Sequence, residues 1–190
     1  MRFRQLIEKR RSVRKFRLDK KPDWRKILRA IDTARFIPAA GNQFNLKFIV
    51  VSDKDVIGQL ADASQQDFVR NSYYVVVCVS DSSVLTRLYG ERGERFTAQQ
   101  AGAAIENFLL ALTGEGLATT WVGHFYEGMI KSLLGIPDNM TVEAFFPIGV
   151  EGANASTKRA LKTDLDNIVY FHEWGEKWME PQTKLRIESS

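Results

Sequence analysis

Cysteine occurs once in the 190 residues, at Cys78, and histidine twice, at His124 and His172. One cysteine cannot close an intrachain disulfide, so the core must hold the fold, and the expected compartment is the cytoplasm. The histidines lie far apart with no ligand-spaced partner, so the sequence offers no zinc set, and each reads as a structural or surface residue. Cys78 sits inside Val75-Val76-Val77-Cys78-Val79, the pattern of a buried strand, which favours an inert core thiol over a nucleophile. No Ser/His/Asp constellation can be assembled from these pieces. No apolar run approaches the roughly 18–20 residues of a membrane span. The start, Met1-Arg2-Phe3-Arg4-Gln5, lacks the apolar stretch of a signal peptide. Also missing are GxGxxG and P-loop motifs, internal repeats and linkers.

What is present suits one globular domain over residues 1–190. Hydrophobic residues make up 44% and charged residues 26% of the chain, ordinary shares for a packed core. The formal charge of +4 fits an anionic ligand as readily as nucleic acid. It is concentrated at Arg10-Arg11-Ser12-Val13-Arg14-Lys15-Phe16, where seven residues hold four cations and a hydroxyl. Phe3, Leu6 and Ile7 recur at helical spacing, so a short helix over 2–9 delivers this stretch. From Ser12 to Phe16 alternation predicts extended chain, able to present Arg10, Ser12 and Arg14 to one side. A solvated basic face is the plain alternative.

Further along, Trp24, Ile27, Leu28, Ile31 and Ala34 mark a helical face that stops before Pro38. The small residues of Pro38-Ala39-Ala40-Gly41-Asn42 allow backbone to approach a ligand, or form a plain turn. Leu46–Val51 and Tyr73–Ser80 read as strands, Asp53–Ala63 and Glu127–Leu134 as helices. Residues 81–96 are polar and read as a lid or an exposed connection. Thr97–Gly114 reads as a tightly packed central helix, Thr119–Val122 as short and β-like, and Thr141–Phe146 as a last core strand. After it, Asp164–Trp178 is rich in aromatics (Tyr170, Phe171, Trp174, Trp178) that need cover from the domain or another subunit. Irregular alternation of helices and strands predicts an α+β domain.

The order Arg-Arg-Ser-Val-Arg-Lys-Phe, Pro-Ala-Ala-Gly-Asn, Gly-Leu-Ala-Thr-Thr-Trp-Val-Gly, Leu-Gly-Ile-Pro, Pro-Ile-Gly and Lys-Arg resembles the FMN-dependent nitroreductase family, over roughly residues 3–175. The resemblance implies a mixed, largely antiparallel sheet flanked by helices. It also implies a homodimer with FMN at the subunit interface and C-terminal segments, about 160–190 here, wrapping the partner. By position, Arg10 and Ser12 would contact the ribityl phosphate with Arg11 alongside. Arg14 would lie near the pyrimidine edge, its charge favouring the reduced flavin. Pro38, Ala39, Ala40 and Asn42 would reach FMN from the other subunit. Pro147, Ile148, Gly149 and Val150 would run along the ring, an amide meeting flavin N5. Lys158 and Arg159 would close on the phosphate. Asn71, with Gln66 as competitor, would reach the pyrimidine edge.

The implied activity is electron transfer from NADH or NADPH through FMN to a flat small-molecule acceptor such as a nitroaromatic or quinone. The flavin carries the chemistry, so no general acid or base is assigned. Phe125, Tyr126 and residues 84–96 are candidates for the acceptor pocket. Ala39-Ala40 and Phe44-Asn45-Leu46 stand where many relatives have Ser-Ser or Ser-Ala and then Gln-Pro-Trp, and Gln100 replaces a frequent acid. These departures bear on substrate type. Alternatives are a specialised relative, such as a reductive dehalogenase, and a flavin-binding or sensor protein without turnover. A nucleic-acid module would bind in a steeply salt-dependent way, but the chain has no helix-turn-helix or RNA-binding signature.

Overall fold

Alternation in two apolar strands decides the architecture. In the computed structural model, which describes residues 2–153, 163–180 and 183–184, Tyr74–Ser80 is buried at every position. Tyr74, Val76 and Cys78 face one apolar layer, while Val75, Val77 and Val79 face another. Such a strand must be covered on both sides, because its period of two sends neighbours to opposite faces.

Four strands form the sheet: β1 (Leu46–Val51), β2 (Tyr74–Ser80), β3 (Ala118–Thr119) and β4 (Thr141–Gly149). Their order is β1-β2-β4-β3, and every pairing among them is antiparallel. Helices α1 (Phe3–Lys9), α2 (Trp24–Ala34), α3 (Lys54–Ser64), α4 (Ser83–Tyr89), α5 (Arg92–Gly114) and α6 (Glu127–Leu134) complete this α+β unit. One layer packs α2 and α5 on the sheet through Ile27, Ala30, Ala104, Phe108 and Phe146. The other packs α3 and α6 through Ile57, Leu60, Ile130 and Phe145. Phe108 is fully buried, its ring centroid 5.4 Å from that of Phe146 and edge-on to it, a favourable aromatic geometry.

Local chemistry sets the helix ends. The Asp53 carboxylate accepts from the amides of Asp55 and Val56 at 2.9 and 3.0 Å, and Asp23 caps α2 from Arg25 at 3.0 Å. Gly135, at φ 64, ends α6 in the left-handed conformation. Arg29 donates twice to the Glu115 carboxylate, at 2.8 and 2.9 Å, tying α2 to the end of α5.

Two expectations change. Residues 81–96, expected as a lid or an exposed connection, are largely exposed and helical: they form α4 and the start of α5, which begins at Arg92 rather than Thr97. β4 continues through Pro147 and Ile148 to Gly149, because its end pairs with β3. Burial pushes the Cys78 thiol up to about 12, with Glu143 adding to the effect, as suits an inert core group. Among the described residues no helix is long and apolar enough to cross a membrane.

The chain divides into two compact units, residues 1–157 and 158–190. In the second, β5 (Trp178–Glu180) pairs with β6 (Thr183–Lys184). The Lys177 amine lies 3.9 Å from the Tyr170 ring centroid, and Trp174 packs on the same tyrosine at 4.7 Å between centroids.

Candidate functional site

Arg10 is the residue at which α1 stops: its amide still bonds the Leu6 carbonyl at 3.0 Å, but its ψ of 127 turns the chain extended. The extended run is then stitched to the sheet. Val13 N–H donates to the Thr119 carbonyl at 2.8 Å, Phe16 bridges Glu151, and Arg17 N–H donates to the Val150 carbonyl at 2.8 Å. Val13 and Phe16 point inward and are 4% and 6% exposed, packing with Ala118. A basic segment is thereby fixed beside the ends of β3 and β4.

Beside it lies a cavity of about 120 Å³, lined by Arg10, Arg11, Ser12, Thr119, Trp121 and Glu151 among others. Each arginine already has a carboxylate partner. Arg10 Nε is 3.2 Å from Glu106 Oε1, and Arg11 Nη2 donates to Glu151 Oε1. Two polar atoms are buried without a partner: Arg11 Nε and Thr119 Oγ. A buried donor left unpaired costs about 1–3 kcal/mol, and these two belong to residues that line the cavity. Cations and unpaired donors together fit an oxyanion such as a phosphate ester.

Arg10, Arg11 and Ser12 are thus brought together, as their spacing suggested. Arg14 is not in the cavity. Its guanidinium lies over the Phe68 ring at 5.7 Å from the centroid, because the buried positions, Val13 and Phe16, are three apart and break strict alternation. Phe68 belongs to a short 3-10 turn, Asp67–Asn71, which also carries the exposed Asn71. Pro147, Ile148 and Gly149 form the buried end of β4, and Val150 follows with its carbonyl on Arg17. A Cβ on Gly149 would lie 2.8–2.9 Å from three atoms of Phe16, so glycine is what lets the basic segment sit against β4.

Pro38, Ala39, Ala40 and Asn42 do not line the cavity. They form an exposed turn in which Gly41, at φ 58, lies under Leu88 and Tyr89 of α4. Lys158 and Arg159 lie outside the described residues. Asn45, one of the family departures, is a buried amide that donates to the Asp81 carbonyl at 2.8 Å and to Thr97 Oγ1 at 2.9 Å, joining β1 to α5. Gln100 is 4% exposed, with neither amide atom paired. Glu106 and Glu151 carried no local signal, and Thr119 and Trp121 entered only within the Gly-Leu-Ala-Thr-Thr-Trp-Val-Gly motif. Glu151 meets Arg11 from 140 residues away, a pairing only the fold creates.

A profile described as the Nitroreductase family matches residues 7–74 and 60–150. A curated Archaeoglobus fulgidus protein, provisionally named NADH dehydrogenase/NAD(P)H nitroreductase, is 31% identical over 151 residues, 76% of this chain and 82% of its own. The crystal structure of a nitroreductase family protein from Clostridium novyi NT is 31% identical and covers 96% of this chain and 100% of its own, with a TM-score of 0.74. An FMN-dependent nitroreductase from Clostridium difficile R20291 has the same fold at a TM-score of 0.74 and 22% identity, covering 89% of this chain and 98% of its own.

Proposed function

The chain belongs to the nitroreductase family, and from that premise we propose that it is an FMN-dependent oxidoreductase drawing on NADH or NADPH. The acceptor is a flat small molecule, such as a nitroaromatic or quinone. One observation carries the cofactor reading: Arg10, Arg11 and Ser12 converge with unpaired buried donors on one cavity, at the end of the strand expected to run along a flavin. Bound flavin supplies the redox chemistry, and the protein supplies position and charge.

In this reading Arg10 and Ser12 hold the phosphate, with Arg11 beside them, and Lys158 and Arg159 close on it. The backbone of Pro147, Ile148, Gly149 and Val150 lies along the ring. Arg14 and Asn71 serve the pyrimidine edge; the stack of Arg14 on Phe68 places its charge beside the turn that bears Asn71. Pro38, Ala39, Ala40 and Asn42 serve the site of a second subunit, which accords with their partial to full exposure and their absence from the cavity lining. The working molecule is a homodimer of one-domain chains, with residues of about 160–190 wrapping the partner, which covers their aromatic side chains.

Arg14→Ala tests the assignment. Loss of one charged contact is expected to weaken FMN binding about tenfold, or to slow flavin reduction by NAD(P)H by a similar factor. Titration of flavin fluorescence and stopped-flow absorbance measure the two. Unchanged affinity together with unchanged reduction removes Arg14 from the site.

A further inference from the structure

Fourteen of the chain's 27 lysines and arginines fall in residues 1–35, against four of its 23 acids. Much of this charge is engaged. Arg10 and Arg11 meet Glu106 and Glu151, Arg29 meets Glu115, and Lys26 donates to the Glu115 carbonyl. The two acids between Arg17 and Arg25 are also taken: Asp19 accepts from Arg17, and Asp23 caps α2. Lys20, Lys21 and Lys54 form no ion pair among the described residues.

These three lysines are held together at the surface. From Arg17 to Arg25 only Pro22 is buried. The Tyr73 hydroxyl donates to the Leu18 carbonyl and fixes the loop to the start of β2. Lys21 Nζ lies 5.5 Å from the Tyr74 ring centroid, and Lys54 Nζ lies 4.9 Å from that of Tyr73 while donating to the Ser72 carbonyl at 2.6 Å. Two consecutive tyrosines thus seat two lysines as neighbours. Burial, and after it the charge of Lys21, hold the Lys54 amine below its ordinary value.

Apolar side chains stand among these cations. Leu18 is 66% exposed, Trp24 48%, and Leu28, one turn further along α2, 45%. Single exposed apolar residues need no partner, but three within eleven residues, interleaved with unpaired lysines, make a patch. A nucleic acid would answer the lysines and leave Leu18 without apolar cover. An apolar protein surface would cover Leu18 and leave the lysines unanswered. An anionic bilayer answers both: headgroup phosphates take the ammonium groups, and the acyl boundary takes leucine and indole.

We propose that Leu18, Lys20, Lys21 and Trp24, with Lys54 beside them, form a peripheral docking face for an anionic lipid bilayer. None of these residues lines the cavity described above, and the face requires no cofactor. The chain lies on the bilayer with Leu18 and Trp24 in the interfacial layer, and no segment spans it.

The full chain is tested by co-sedimentation, at physiological salt, with phosphatidylcholine vesicles and with mixed phosphatidylcholine–phosphatidylglycerol vesicles. Wild-type protein is expected to bind the anionic vesicles and not the neutral ones. A lysine near such a surface contributes about fivefold, so Lys20→Gln/Lys21→Gln lowers the partition coefficient about 25-fold. Leu18→Ser lowers it about tenfold with no change of charge. Lys47→Gln/Arg87→Gln removes the same charge from β1 and α4 and changes it by less than about threefold, because screening acts over about 8 Å. Every side chain replaced is exposed, so the fold is retained. Equal binding to both kinds of vesicle, or none to either, overturns the face. Lysine variants that bind like wild type overturn it as well, and so does a Leu18→Ser protein that loses nothing. Binding of a single-stranded oligonucleotide that depends on Lys20 and Lys21, without binding to anionic vesicles, replaces the bilayer with a nucleic acid.

Discussion

Replacing Gly93 with alanine is expected to destabilise the fold by about 3 kcal/mol, the upper range for an added methyl in a packed interior. Gly93 lies in the first turn of α5, where α4 crosses it at backbone contact. A Cβ there would come within 2.5 Å of Thr86 Cα and meet the Leu85 and Thr86 main chain as well. Those atoms are helix backbone and cannot swing aside as a side chain would, so α4 must move. Leu85, fully buried, and Tyr89, beneath which Gly41 turns, move with it. Gly102 supplies the control on the same helix. A Cβ at Gly102 meets nothing within 4 Å, so Gly102→Ala is expected to stabilise by about 0.5–1 kcal/mol through helix propensity alone. Urea unfolding of the two variants decides the matter. Equal and small effects would mean that the α4–α5 crossing does not depend on close approach.

Gly149→Ala is the second large effect, and it reaches the site as well as the fold. The methyl would press on Cβ, Cγ and Cδ1 of Phe16 at 2.8–2.9 Å, and the Phe16 ring is one of the two inward pins of the basic segment. Displacing it is expected to cost about 1–3 kcal/mol. Because Ser12 and Arg14 ride on the same segment, FMN affinity is expected to fall about tenfold, the equivalent of roughly 1.4 kcal/mol. Phe16→Ala in the same chain removes Cγ and Cδ1, two of the three atoms that the methyl meets. The double variant should therefore recover part of both losses, a coupling expected only of residues in contact. Strictly additive losses would show that Phe16 and Gly149 do not act through one another.

The strands and most helices were legible because their apolar residues repeat in short, capped runs. Leu46–Val51 and Glu127–Leu134 have the bounds their patterns suggest. α4 was not legible for a physical reason. Val84, Leu85, Leu88 and Tyr89 do stand at helical spacing, but only Leu85 is buried, seven residues make a short signal among polar neighbours, and Gly93 permits a helix crossing that no local pattern announces. The candidate site divides the same way. A dense run of cations announces an anion without any fold, but its completion is nonlocal. Glu106 and Glu151 hold Arg10 and Arg11 across the fold, and Thr119 contributes a hydroxyl from a strand of two residues. Arg14 departs from its expected side because Val13 and Phe16 both turn inward. In the proposed reading, the Pro38–Asn42 turn serves the site of a second subunit.

The most direct measurement is an absorption spectrum of the purified protein supplied with FMN, recorded anaerobically before and after NADH or NADPH. An FMN-dependent oxidoreductase shows bound-flavin bands that bleach with at least one nucleotide and return when a quinone is added. Protein that takes up no FMN, or whose bound flavin neither nucleotide bleaches, contradicts the proposed activity.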